Sequence, residues 1–119
     1  MNNDIQKVFG NTDGSRNKAK LNLPTEYRLA QNYPNPFNPV TKINYDLPKD
    51  SKVKLVIYDI LGREVMKLLN NEFKQAGRYS VEFNCKDLAS GVYFYRIEAT
   101  PAGGQAGEFV DAKKMVLLK

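Results

Sequence analysis

The stretch KVKLVIYDILGREVMKLL, residues 52–69, decides the fold class. Its first half alternates apolar and mostly polar positions, the period of two that a β-strand with one buried face shows. The inward positions are Val53, Leu55 and Ile57, and the outward ones are Lys52, Lys54, Val56 and Tyr58. Asp59 opens and Gly62 closes a tight turn, as in a type I turn followed by a glycine in the left-handed region. The stretch therefore predicts an antiparallel hairpin of residues 53–58 with residues 63–69. REVMKLL also fits a short helix, because Val65, Leu68 and Leu69 recur at helical spacing. Of the two, we predict a strand.

The same alternation extends along the chain. TKINYDL (41–47) and RYSVEFN (78–84) each have one apolar side, whereas VYFYRIEA (92–99) is apolar on both and predicts a central strand. KKMVLLK (113–119) predicts a terminal strand whose lysines discourage edge-to-edge pairing. DLASG and PAGGQAG supply turns before and after the central strand. These elements predict an all-β chain, an antiparallel immunoglobulin-like β-sandwich of about seven strands.

A change of composition divides the chain. Residues 1–24 are poor in large apolar groups and predict a flexible linker or tail, so the folded domain is residues 25–119. Between the linker and the first strand lies YPNPFNPV (33–40), whose three prolines each fix φ and predict a rigid, non-helical arm. We expect Phe37 to plug the end of the core from this arm.

Several kinds of chemistry are absent. The chain has no histidine and one cysteine, Cys85, so an intrachain disulfide, a histidine-activated nucleophile and the usual zinc site are excluded. No carboxylates stand out as a catalytic pair, and we predict neither enzyme activity nor a cofactor. The net charge of +5 is spread along the chain, which argues against nucleic acid, and no long apolar run predicts membrane insertion. Tyr33, Phe37, Tyr58 and Tyr95 leave open a glycan-stacking surface.

The order of motifs resembles a known family. LAQNYPNPFNPVTKINYDLP, VKLVIYDILGREVMKLLN, AGRYSVEFN, DLASGVYFYRIEA and KKMVLLK, over about residues 29–119, resemble the type A C-terminal sorting domain of type IX secretion cargo, found in Bacteroidetes and related phyla. The family is similar to the immunoglobulin-like part of flagellar hook-capping proteins. This chain departs from the common pattern at Phe83, where many relatives carry Trp, and at Cys85.

The resemblance implies an address for secretion. In such cargo a Sec signal peptide leads to the periplasm, the outer-membrane translocon recognises this domain, and a surface sortase-like peptidase removes it. The passenger that precedes the domain is then released or attached to surface lipopolysaccharide. We accordingly expect the peptidase to cut in the linker before about Leu29. We also expect this chain to be a monomer and a fragment that lacks the signal peptide. The alternative functions are a structural or adhesive immunoglobulin-like module and a carbohydrate-binding module.

The resemblance also assigns residues. The expected translocon contacts are Lys113, Lys114, Met115, Val116, Leu117, Leu118 and Lys119. An edge strand with unpaired backbone groups can be recognised by strand addition, although Met115 and Leu117 can equally complete the core. The residues assigned to structural motifs are Tyr33, Pro34, Asn35, Pro36, Phe37, Asn38, Pro39, Asp59, Gly62, Ser90, Gly91 and Tyr93.

Overall fold

The computed structural model describes residues 22–104 and 107–119, and in these ranges the chain forms seven strands and no helix. The strands are β1 Arg28–Leu29, β2 Val40–Leu47, β3 Ser51–Tyr58, β4 Glu64–Lys74, β5 Gly77–Asn84, β6 Gly91–Pro101 and β7 Phe109–Leu117. They form two antiparallel sheets, one in the order β1-β2-β5 and one in the order β4-β3-β6-β7. The all-β sandwich prediction is confirmed. Most of the predicted linker and two residues of the 101–107 loop lie outside the described residues.

The hairpin predicted from residues 52–69 is formed by β3 and β4, which pair antiparallel. In the turn, the Gly62 N–H donates to the Asp59 carbonyl over 2.9 Å, and Gly62 has a φ of 81°. The helical alternative for residues 63–69 is wrong, because pairing with β3 overrides the helical spacing. β4 continues to Lys74 by means of register shifts, with Asn71 at a φ of 54°, as β-bulges allow.

The inner faces of the two sheets form one core, as the alternation predicted. Its most deeply buried side chains include Ile43, Tyr45, Leu47, Val53, Leu55, Ile57, Tyr95 and Ile97. Val56, on the outer face of β3, is nevertheless only 1% exposed. Its cross-strand neighbours are Lys67 and Arg96, whose aliphatic stems can cover an apolar residue between them.

Two tyrosine hydroxyls brace the strands in the manner of the tyrosine corner of immunoglobulin-like domains. Tyr79 donates to the Gln75 carbonyl and Tyr93 to the Ala89 carbonyl, each over 2.6 Å and four residues upstream. Cys85 follows β5 and is fully buried, and burial raises the pKa of its thiol. Its side chain therefore acts as a small apolar residue of the core.

Candidate functional site at the last strand

The last strand, β7, forms one edge of the four-stranded sheet and pairs with β6. Met115 and Leu117 are fully buried, so a partner that binds the folded domain does not reach their side chains. The remaining predicted contacts lie nearer the surface. Lys113 and Val116 are half-buried, and Lys114, Leu118 and Lys119 are exposed.

The proline-rich segment, residues 33–39, occupies the end of this edge. The Phe37 N–H donates to the Val116 carbonyl over 3.0 Å, and the Phe37 carbonyl accepts from the Leu118 N–H over 2.9 Å. The Asn35 Oδ1 accepts the Val116 N–H over 2.9 Å, across 81 residues of sequence. The two backbone hydrogen bonds of Phe37 pair it in parallel with Leu117. We call this pairing, together with the bond from Val116 to Asn35, the clasp. The edge of β7 is therefore already paired from residue 116 onward.

The open part of the edge lies nearer the start of β7. In an antiparallel ladder, alternate residues point both backbone groups to the same side. The backbone N–H and carbonyl of Val116 point toward the clasp. The backbone groups of Val110, Ala112 and Lys114 therefore point away from β6 as well. The Lys114 carbonyl accepts the Gln31 Nε2 over 2.7 Å, and the Ala112 N–H donates to the Asp111 Oδ1 over 2.8 Å. In the described structure, the open edge is thus short and spans residues 110–114.

Charged side chains lie along this open edge. Asp111 and Lys113 lie on the core side of the sheet and are half-buried. Lysines and inward-pointing charges are devices that discourage an edge strand from pairing with unrelated strands. A partner that adds a strand here must satisfy these charges, which gives the edge a means of selecting its partner.

A buried polar network holds the clasp. The Tyr95 hydroxyl accepts the Asn32 N–H over 2.8 Å and donates to the Ala30 carbonyl over 2.7 Å. The Asn32 Nδ2 donates to the Thr41 Oγ1 over 3.0 Å, and the Thr41 hydroxyl donates to the Pro34 carbonyl over 2.8 Å. Burial raises the pKa of Tyr95 to about 12, so the hydroxyl stays neutral and can both donate and accept.

Sequence reasoning missed this network. Asn32 and Thr41 are 2% and 1% exposed, and neither was assigned a role. The one available signal was Thr41 itself, a polar residue at an inward position of β2 where an apolar residue is expected. Buried polar groups are nearly always hydrogen-bonded, so Thr41 indicated a partner without naming it.

The four aromatic residues considered for glycan stacking differ in their exposure. Phe37 is 2% exposed, with its ring edge-on to that of Phe83 at 6.4 Å, and Tyr95 is fully buried, so neither offers a stacking surface. Tyr58 is half-buried. Tyr33 is 81% exposed and borders a groove of about 330 Å³ that also includes Thr41, Lys42 and Glu82.

The remaining motif residues support turns. Pro34, Asn35, Pro36 and Asn38 are exposed, and the X-Pro bonds preceding Pro34, Pro36 and Pro39 are cis. The Pro39 carbonyl accepts the Cys85 N–H over 2.9 Å. Ser90, next to Gly91, accepts the Lys119 N–H over 3.0 Å, which fastens the last residue to the loop before β6.

The Asp59 turn is ordered by its own side chain. Asp59 Oδ1 accepts the N–H groups of Leu61 and Arg63, each over 2.9 Å, and Oδ2 accepts the Arg63 Nε over 2.7 Å. These bonds, led by the one from the Arg63 backbone, lower the pKa of Asp59. The side chains of Ile60 and Leu61 take no part in these bonds, and the two residues are 70% and 73% exposed.

Within residues 22–104 and 107–119, no group of three or more cysteines and carboxylates is placed to hold a metal ion. No helix in this part of the chain has the length and apolar character that crossing a bilayer requires.

Comparison with known proteins gives one finding. The family described as the secretion system C-terminal sorting domain matches residues 31–105, well over half of the chain. No curated protein and no solved structure matches it. The matched range begins in the network that holds the clasp and includes the Asp59 turn. The chain therefore belongs to the secretion system C-terminal sorting domain family, the sorting signals of type IX secretion.

Proposed function

We propose that the domain directs a passenger protein through the type IX secretion system to the cell surface, and that it acts by being recognised, without catalysis. The observation that carries this proposal is the family match over residues 31–105. The family is not a catalytic one, and membership implies contact with the secretion machinery. The translocon then recognises the surface of a folded domain whose last strand is held in place by the clasp.

The geometry favours recognition at the open edge of β7. Residues 110–114 offer outward backbone groups for strand addition, two of which, the Ala112 N–H and the Lys114 carbonyl, an added strand would take over from the Asp111 and Gln31 side chains. The exposed Lys114 and Lys119 mark the strand with positive charge. Met115 and Leu117 contribute indirectly, because their burial fixes the strand on the core. The recognition element is accordingly a set of exposed groups on a structural strand.

The boundary with the passenger follows from packing. Leu29 is 4% exposed and β1 pairs with β2, while Tyr27 stacks on Phe109 with ring centroids 5.3 Å apart. A cut after Tyr27 would remove the stacking on Phe109, and a cut after Leu29 would remove the pairing of β1 with β2 as well. We place the peptidase cut before this ordered region, toward the passenger, so that the domain leaves intact.

The test is an export assay. The full chain is fused behind a Sec signal peptide and a reporter in a type IX-competent cell, and surface reporter is measured. Deleting residues 113–119 would unfold the core, so the decisive variant is Lys114→Glu with Lys119→Glu. Its matched control is Lys42→Glu with Lys52→Glu, which makes the same charge change at exposed sites on other strands. The proposal expects the wild type and the control to reach the surface and the decisive variant to stay periplasmic. A wild-type fusion that stays periplasmic refutes the sorting role.

A second candidate is glycan binding, as expected of an adhesive or carbohydrate-binding module. The observation in its favour is Tyr33, a ring that is 81% exposed beside a groove whose lining includes Lys42 and Glu82. Exposed aromatic rings can stack on the apolar faces of sugars, and the Lys42 and Glu82 side chains can bond hydroxyls. Binding on a glycan array that Tyr33→Ala abolishes would establish this role, and an array without binding would remove it.

A further inference from the structure

Exposed apolar side chains gather at one end of the four-stranded sheet. Ile60 and Leu61 form the tip of the β3–β4 turn and are 70% and 73% exposed. Large aliphatic residues are uncommon in exposed turns, where glycine, asparagine, aspartate and proline dominate. We call these two residues the apolar tip.

The fold does not need the apolar tip. The turn is fixed by Asp59, which accepts from the backbone of Leu61 and Arg63, and by Gly62, whose φ of 81° suits glycine. The Asp59 N–H also donates to the Arg63 carbonyl, and the Asp59 carbonyl accepts the Gly62 N–H, each over 2.9 Å. The two aliphatic side chains are therefore presented on a preorganised backbone, an arrangement that lowers the entropy lost on binding.

More apolar surface adjoins the tip. Tyr58 precedes the turn and lies opposite Phe94, while Val92 lies opposite Val116 at the same end of the sheet. These side chains lie on the outer face, because their neighbours Tyr93, Tyr95 and Met115 point into the core. Phe94 is 38% exposed, and Leu118, just beyond β7, is 54% exposed. Several apolar side chains thus share the outer face at this end of the sheet, and exposed apolar patches are typical of interaction sites.

Positive charge borders this apolar end. Lys114 is exposed and lies opposite Phe94. The exposed Lys119, whose Nζ donates to the Lys86 carbonyl, follows Leu118. The Arg63 side chain, 72% exposed at the turn itself, is paired with the Asp59 carboxylate over 2.7 Å, so the net positive charge comes from the two lysines. The surface thus combines a projecting apolar tip with a cationic border, and its complement is an apolar pocket with an acidic rim.

We infer that the apolar tip inserts into such a pocket on a protein of the export machinery, so that the domain is read at the β3–β4 turn as well as at β7. This inference rests on the proposed function and adds a second contact to it. Ile60 and Leu61 supply the buried centre of the contact, and Lys114 and Lys119 face its acidic rim. Centres of this type carry most of the binding energy of an interface.

The test uses the same full-chain reporter fusion. The variant is Ile60→Ser with Leu61→Ser, and the matched control is Phe73→Ser, an exposed apolar residue (55%) at the other end of the hairpin, opposite Lys52. We expect the variant to lose about tenfold or more of its surface reporter, since truncating a central interface side chain commonly has an effect of that size. The control is expected to export normally, and both purified domains should unfold at the wild-type denaturant midpoint.

The outcomes separate the two proposals. If the wild type is exported and the serine variant is exported equally well, the tip inference is wrong and the sorting role stands. If the wild type itself stays periplasmic, the sorting role fails and the inference fails with it. If Phe73→Ser is impaired as much as the tip variant, the effect is general surface hydrophobicity, and the inference is again wrong.

Two other occupants of the surface are tested with the purified chain. Sedimentation over a range of concentrations detects a second copy, and flotation with vesicles of anionic phospholipid detects a membrane surface. Dimers or vesicle binding that the Ile60→Ser, Leu61→Ser variant abolishes would assign the tip to that occupant and overturn the inference. A monomer that ignores the vesicles supports a protein pocket.

Discussion

The proline-rich segment and the Asp59 turn are both irregular segments next to strands, and they treat large apolar residues in opposite ways. Phe37 in the first is 2% exposed, whereas Leu61 in the second is 73% exposed. In each segment a short polar side chain accepts backbone N–H groups. Asn35 accepts that of Val116 in β7, and Asp59 accepts those of Leu61 and Arg63 within the turn. Only the clasp therefore uses its apolar residue to join distant parts of the chain, which leaves the residues of the turn available to a partner.

The largest effect on stability is expected at Phe37. Phe37→Ala empties a site in the core next to Phe83 and beneath the end of β7, so we expect the free energy of unfolding to fall by about 3–5 kcal/mol. Urea unfolding followed by circular dichroism measures this loss. The matched control is Tyr33→Ala in the same segment, whose ring is 81% exposed and whose removal should change stability by less than about 0.5 kcal/mol. Equal losses for the two variants would show that the clasp does not depend on Phe37.

Alkaline pH should loosen the anchor of the clasp. Burial raises the pKa of Tyr95 to about 12. The pKa of Tyr45 is also raised to about 12, mainly by burial and to a lesser extent by the charges of Tyr79 and Glu72. In the unfolded chain both hydroxyls ionise near pH 10. The stabilisation is complete below that value and is lost as the pH rises toward 12, by about 2–3 kcal/mol for each ring.

Urea unfolding at a series of pH values measures this loss. In Tyr95→Phe part of the alkaline loss should disappear, although the variant is less stable at neutral pH because the buried Asn32 N–H loses its acceptor. Tyr33→Phe, at an exposed ring, should follow the wild-type pH profile. A flat profile between about pH 10 and 12 would contradict the assigned role of burial.

The strands were predictable because their information is local. The alternation of Val53, Leu55 and Ile57 with polar neighbours, and the Asp59 to Gly62 turn, were enough to define the β3–β4 hairpin. Where local patterns competed, as for the helical spacing of Val65 and Leu68, pairing with a neighbouring strand decided the outcome. Such pairing cannot be read from a single segment.

The clasp was not predictable because it joins groups that are far apart in the sequence. Asn35 and Val116 are separated by 81 residues, and no local pattern places them together. The network around Tyr95 was hidden for the same reason, since its ring followed the apolar alternation and its hydroxyl found partners only in the folded chain. A side chain that reads as core from its position can thus carry a specific polar contact.

The Asp59 turn should show a smaller, pH-dependent effect. Asp59→Ala removes the acceptor of three hydrogen bonds, and we expect a loss of stability below that of Phe37→Ala. Because the folded-state pKa of Asp59 is lowered, its contribution is present above the ordinary carboxyl pKa and is lost as the pH falls toward the folded value. Unfolding curves of the variant and the wild type should therefore converge in acid. A difference that persists unchanged at low pH would show that the carboxylate charge does not order the turn.

The smallest effect is expected at Leu61, and it decides how the two segments differ. Leu61→Ser replaces a side chain that is 73% exposed on a turn fixed by other groups, so stability should change by less than about 0.5 kcal/mol. Val65→Ser, at a half-buried position of β4 that packs against the core, is the matched aliphatic control and should be clearly destabilised. If Leu61→Ser lost as much stability as the control, its side chain would belong to the folding contacts, and the turn would be a second clasp.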